Sequence, residues 1–250
     1  MNILFCPVGH DQHLDGDHWR IKRPENNYKI VVYQHSDDIL DEQGYDYIFK
    51  RKGFKWALAK HFLTNIIETI AGSEEIEYVA FMDDDVTISY QDLNSSIEFA
   101  KENGMDVFQI SMTPESNTHY TITRQDPQLL YTKTNFIEFM CPFLKYNDVV
   151  KILDFINCYD INHGWGLDFA VHQLLNKPLY VIHAYSMGHP PQPSSYNLSE
   201  GGAEFRKVIS EIAPNYFREK RKEIWVFPMM TIFWEEPKGL NVWSFLQENI

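Results

Sequence analysis

Cysteine is scarce, with Cys6, Cys141 and Cys158 alone in 250 residues, far apart and without a CxxC spacing. That argues against a disulfide framework and a thiolate zinc site, and fits a reducing compartment. Basic charge is short as well: 22 Lys and Arg against 35 Asp and Glu leave a net charge of −13. Such a chain is poorly suited to neutralising a phosphate backbone, so no nucleic-acid partner is expected. No 18 uninterrupted apolar residues occur, and Met1–Pro7 has neither the basic segment nor the apolar length of a secretory signal, so the expectation is a soluble, cytoplasmic protein with no transmembrane segment. A GxxxxGK[ST] phosphate loop, an internal repeat and a domain-splitting linker are all missing.

What is present is an ordinary globular composition, 44% hydrophobic and 15% aromatic. It is expected to form one domain over 1–250, with a core over about 1–190, a flexible loop and helix over 191–215, and an extension over 216–250 packed onto the core. Short apolar segments with strand character recur at Asn2–Phe5, Lys29–Gln34, Tyr45–Phe49, Glu77–Met82, Asp106–Met112 and Pro178–Ala184. Between them lie helical patterns at Phe54–Ile70, Asp92–Glu102 and Asp148–Asn157, the last with Asn147 as N-cap. This alternation predicts an α/β domain with a mostly parallel central sheet and helices on both faces. Tyr120–Arg124 and Tyr131–Phe136 alternate polar and apolar residues as antiparallel strands do, so a small antiparallel insertion is expected within Thr118–Phe139. The Pro-rich run 190–196 reads as a mobile lid.

Three carboxylates, Asp83-Asp84-Asp85, directly follow an apolar strand, where ligands gather in open α/β sheets. If the segment is extended, Asp83 and Asp85 point together and suit Mn²⁺ or Mg²⁺; the alternative is an acidic turn ending a strand. His189 follows a later strand and is placed to complete that coordination, with His183 as competitor. In His163-Gly-Trp-Gly-Leu-Asp168, two glycines let backbone approach a ligand, Trp165 offers a face to a sugar, and Asp168 suits a general base. The alternative is a helix start with Trp165 in the core. Glu138, among apolar residues, either binds acceptor hydroxyls or is a structural acid satisfied by backbone amides.

Together, Cys6-Pro-Val-Gly9, Lys55-Trp-Ala-Leu-Ala-Lys-His-Phe-Leu63, Phe81-Met-Asp-Asp-Asp85, Phe136-Ile-Glu-Phe-Met-Cys-Pro142, His163-Gly-Trp-Gly-Leu-Asp168 and His189 resemble, in order, the glycosyltransferase-like plant proteins once labelled lysine-ketoglutarate reductase trans-splicing related. The resemblance implies a GT-A-like fold with a DxD metal site at Asp83, Asp85 and His189, and Asp168 as catalytic base of an inverting transfer. Pro7, Val8, Gly9 and Asp84 are then expected on the side of a UDP- or GDP-sugar donor, and Glu138, Trp165 and Gly166 on the side of a carbohydrate or other hydroxyl acceptor. Two readings compete: a carbohydrate- or nucleotide-binding module without turnover, and a metal-dependent nucleotidyltransferase or phosphohydrolase.

Overall fold

The structure is a computed structural model that describes residues 1–9, 14, 16–37, 44–118, 120–190, 198–212 and 232–237. The expected lid, apart from Pro190, and most of the 216–250 extension lie outside the described residues.

Strand β1, Asn2–Val8, is buried along its whole length, as a parallel strand covered on both faces must be. It pairs in parallel with β2, Tyr28–Gln34, which pairs in parallel with β3, Tyr47–Lys50. On its other side β1 pairs with β4, Tyr78–Phe81. The remaining strands are β5, Val107–Met112; β6, Leu129–Thr134; β7, Phe143–Lys145; β8, Leu179–Met187; and β9, Ile232–Pro237. They form one sheet in the order β3-β2-β1-β4-β7-β5-β8-β6-β9, in which β7 and β6 run against the others. The α/β class, the mostly parallel sheet and the small antiparallel part expected from the sequence are all present.

Alternate residues of the central strands feed two cores. Ile3, Phe5, Val31, Tyr33 and Phe81 face one side, with residues of α1 (Lys55–Asn65), α2 (Ile67–Ala71), α4 (Tyr146–Cys158) and α5 (Leu167–Leu175). Leu4, Cys6, Val8, Ile30 and Val32 face the other, under α3 (Tyr90–Glu102). Each fully buried large apolar side chain contributes about 1.5–3 kcal/mol. Helix α6, Leu198–Ile212, meets α5 through a small third cluster of Phe136, Phe169 and Ile209.

Several boundaries differ from the sequence reading, for local reasons. The expected Phe54–Ile70 helix is broken at Ile66 (φ −120°, ψ −40°) into α1 and α2. Asn147 lies inside α4, whose cap residue is Lys145, because β7 ends at Lys145 and leads straight into the helix. Tyr120–Arg124 forms a 3₁₀ turn over Thr121–Thr123 rather than a strand, and only the second half of the insertion pairs, as β6.

Candidate active site

Strand β4 stops at Phe81, and residues 83–86 form a turn in which the Val86 N–H reaches the Asp83 carbonyl at 3.4 Å. The carboxylates of Asp83 and Asp85 therefore share a side through a turn, and not through the extended pleat expected from the sequence. Asp84 is directed elsewhere: its Oδ2 accepts the Gly9 N–H at 2.9 Å and its carbonyl accepts Arg20 Nη1 at 3.1 Å.

The third member arrives from β8. Thr87 and Gly188 exchange two backbone hydrogen bonds of 2.8 Å, which brings the residue after Gly188 beside the acidic turn. As a result Asp83, Asp85 and His189 offer ligand atoms that all lie within 4.8 Å of one another. His189 Nε2 is 3.4 Å from Asp85 Oδ2, and Nδ1 lies 2.9 Å from the Asn117 carbonyl. A carbonyl can only accept, so Nδ1 carries a proton and Nε2 is turned toward the acids. That is how a metal-ligating imidazole is oriented by its outer partner. Asp85 Oδ1 is buried with no hydrogen-bond partner, an expensive state unless something binds it. Two hard carboxylate oxygens and an imidazole nitrogen, one acid oxygen unsatisfied, fit Mn²⁺ or Mg²⁺ with positions left for water or phosphate oxygens. Without a cation, the hydrogen bond to Asp85 outweighs burial and raises His189 to about 9. Burial raises the pKa of Asp83, against the opposing effect of Lys55. His183 is elsewhere: buried, with Nδ1 accepting the Asp126 N–H at 3.1 Å and Nε2 2.8 Å from the Thr132 hydroxyl.

Asp168 sits in the first turn of α5, which begins after Gly166. Its Oδ1 accepts the Phe139 N–H at 2.5 Å, and burial, reinforced by the Glu138 charge and opposed by Phe139, raises it to about 7. A carboxylate poised there is matched to proton transfer near neutrality. A chain of hydrogen bonds links it to the cluster: the Phe139 carbonyl accepts Lys55 Nζ at 3.0 Å, and Lys55 Nζ donates to Asp83 Oδ1 at 2.7 Å.

Other expected site residues are occupied differently. Glu138 is buried at 5% exposure, its Oε1 accepting the hydroxyls of Thr118 and Thr123. Two side-chain hydroxyls thus serve this buried acid, as the structural reading expects of a carboxylate among apolar residues. The Val8 side chain is wholly buried in the second core, and Pro7 is buried as well. Gly9 is committed through its N–H to Asp84. The glycines around Trp165 serve packing: with φ of +90° and +96°, Gly164 and Gly166 would drive a Cβ to 2.1 Å from the Trp56 ring and 3.0 Å from Val208. Trp165 is half-buried, with Gly201 of α6 laid on its ring, where a Cβ would come within 2.7 Å.

The sequence reading missed Glu204. From α6 its carboxylate accepts four consecutive backbone N–H groups, those of Asn162 (2.7 Å), His163 (3.0 and 3.1 Å), Gly164 (2.5 Å) and Trp165 (3.1 Å). The signal available was thin, one of three acids in an amphipathic helix.

A scan against protein-family models returned no match, and neither did a search of curated proteins. Among solved structures the chain is similar to a 1–349 segment of TarS from S. aureus, at 12% identity over 90% of this chain and 75% of that one, with a TM-score of 0.46. The same segment in complex with UDP-GlcNAc matches at 12% identity over 86% of this chain and 66% of that one, TM-score 0.47. A longer TarS structure matches at 13% identity over 86% and 39%, TM-score 0.49. Among the described residues no helix is long and apolar enough to cross a membrane.

Proposed function

We propose that this protein is a metal-dependent glycosyltransferase of the GT-A type, related to the plant glycosyltransferase-like family, which moves a sugar from a nucleoside-diphosphate donor to a hydroxyl acceptor. The observation that carries the reading is the convergence of Asp83, Asp85 and His189, with the imidazole turned by Asn117 and an acid oxygen left unsatisfied. The strand order, with antiparallel β7 wedged between β4 and β5 and the acids at the carboxyl end of β4, supports the fold part of it.

Asp83, Asp85 and His189 would hold Mn²⁺ or Mg²⁺. When bound, the cation supplies charge stabilisation for a departing diphosphate. Asp168 is the base in this reading. The acceptor oxygen attacks the anomeric carbon, its proton passes to an Asp168 carboxylate oxygen, the carbon–oxygen bond to the β-phosphate breaks, and the nucleoside diphosphate leaves with that electron pair. A single displacement inverts the anomeric configuration. A value raised to about 7 suits Asp168 to take up a proton near neutral pH and to surrender it again.

Calorimetry with UDP and GDP, each with and without Mn²⁺, tests the reading. Cation-dependent diphosphate binding that Asp85→Asn abolishes and Asp168→Asn leaves intact supports the transferase. Cation-independent sugar binding would instead mark a binding module, and release of a nucleoside monophosphate a hydrolase.

A further inference from the structure

Lys55 is an odd residue to open a helix. The first turn of α1 carries no acid and no side-chain cap, and a cation there opposes the helix dipole. Its side chain is only 12% exposed, and burying an ammonium group is costly unless each donor is satisfied. All three are: Nζ donates to Asp83 Oδ1 at 2.7 Å, to the Phe139 carbonyl at 3.0 Å and to the Met140 carbonyl at 2.8 Å. The two carbonyls belong to a segment with further obligations. The Met140 carbonyl also accepts the Asp83 N–H at 3.0 Å, and the Phe139 N–H holds Asp168. The start of α1 is itself fastened to the loop before α5, since the N–H groups of Trp56 and Ala57 point at the Asn162 carbonyl at 3.1 and 3.3 Å.

We propose that Lys55 is a positioning residue: its ammonium group ties Asp83 to the 139–140 backbone that holds Asp168, keeping the cation site and the base in one fixed relation. This rests on the transferase reading above for the roles of the two acids. It has two physical consequences. Lys55 holds Asp83 Oδ1 at 2.7 Å, so the carboxylate that would face a cation is fixed in place. The ammonium also places a positive charge near Asp168 that acts against the Glu138 carboxylate, and so restrains the upward pull of burial. The groups facing Asp168 are Lys55 from α1, Glu138 and the Phe139 N–H from the segment before β7, and the Tyr120 phenol ahead of the 3₁₀ turn.

The test is the ionisation midpoint of Asp168, followed by carboxyl ¹³C NMR in the full chain and assigned with Asp168→Asn. The wild type is expected near 7. Lys55→Met and Lys55→Gln, which remove the charge, are expected to raise the midpoint by about half a pH unit or more, whereas Lys55→Arg keeps it within about 0.2 unit of the wild type. A folded neutral variant with an unchanged midpoint overturns the proposal. So does failure of both neutral variants to fold while Lys55→Arg folds, which would make the ammonium a stability element only. Mn²⁺ uptake, counted by electron paramagnetic resonance in wild type and Asp85→Asn, tests the cation site separately. Equal uptake removes the cation reading and leaves the Lys55–Asp168 link to be decided by the NMR shift.

Discussion

Thr87 and Gly188 lie so close that a Cβ on the glycine would stand 2.4 Å from the threonine Oγ1. Their paired backbone hydrogen bonds set His189 against Asp85, so the absent side chain is what lets the end of β8 join the acidic turn. Gly188→Ala is expected to cost about 1–3 kcal/mol, the usual penalty of overpacking, and to weaken Mn²⁺ binding at least tenfold. Thr87→Ala removes the clashing oxygen, so the double variant should recover a good part of both losses. Thermal melts and Mn²⁺ titration of the two single variants and the double variant check this; simple additivity would show that the contact does not set the site.

His189 carries a proton in the cation-free protein up to about pH 9, and an imidazolium cannot be a ligand. Binding must expel that proton. The apparent Mn²⁺ affinity is therefore expected to rise about tenfold per pH unit between pH 7 and 8.5, and His189→Asn should flatten the slope. In the absence of cation the sign reverses for stability. The folded value stands above the ordinary 6.5, so the contribution of the charged His189–Asp85 pair is full below 6.5 and lost as pH rises through about 9. Mn²⁺ titrations by calorimetry at several pH values, beside cation-free melts, separate the two trends.

Asp168 works in the opposite sense. Its folded value near 7 stands above the ordinary 3.8, so the native state holds the proton more tightly than the unfolded chain does. The destabilisation it causes is absent below 3.8, grows through the interval and is complete above 7, at about 1.4 kcal/mol for each unit of upward displacement as an upper limit. Asparagine retains the oxygen that accepts the Phe139 N–H and never ionises. Asp168→Asn is therefore expected to melt higher than the wild type at pH 8 and alike at pH 4, while transfer falls by about 10²–10⁴. A variant no more stable at pH 8 than the wild type would contradict the elevated value.

The elements most legible in the sequence are those whose burial leaves a pattern on one chain segment. The apolar runs of β1, β2, β4 and β5 are plain because both faces are covered, and the acids after Phe81 are conspicuous by their place. β7 was not legible: Phe143–Lys145 is three residues long, and its antiparallel direction depends on β4 and β5 flanking it. The same holds around the site. His189 and the acids can be named as candidates, but Asn117, which turns the imidazole, acts through a main-chain carbonyl 72 positions away, and main-chain groups leave no mark in a sequence. Lys55 is visible only as a residue at odds with its helix. Gly164 and Gly166 were legible as positions that exclude a side chain, yet what fills the space is Trp56 and Val208 from other elements.

Glu204 is the largest of these hidden dependencies. Four adjacent N–H groups converge on its carboxylate, and Gly166, which caps α5, follows them directly in the chain, so the acid in α6 fixes the entry to α5. Glutamine keeps the shape but replaces one acceptor oxygen with a donor, which turns an amide NH₂ toward at least one buried N–H. Loss of a charge-assisted set combined with an unsatisfied donor is expected to cost about 2–4 kcal/mol in Glu204→Gln. The damage should be local first. Amide hydrogen exchange is expected to quicken at Asn162–Trp165 while β1 and β4 keep their protection, because local opening there needs no disruption of either core. Once the entry to α5 loosens, the Phe139–Asp168 hydrogen bond loses its fixed partner, and transfer should fall about tenfold or more with little change in diphosphate affinity. Exchange that quickens uniformly across the sheet would make Glu204 a contributor to global stability alone, and a drop in diphosphate affinity matching the drop in rate would place its influence on the cluster of Asp83, Asp85 and His189 instead of on Asp168.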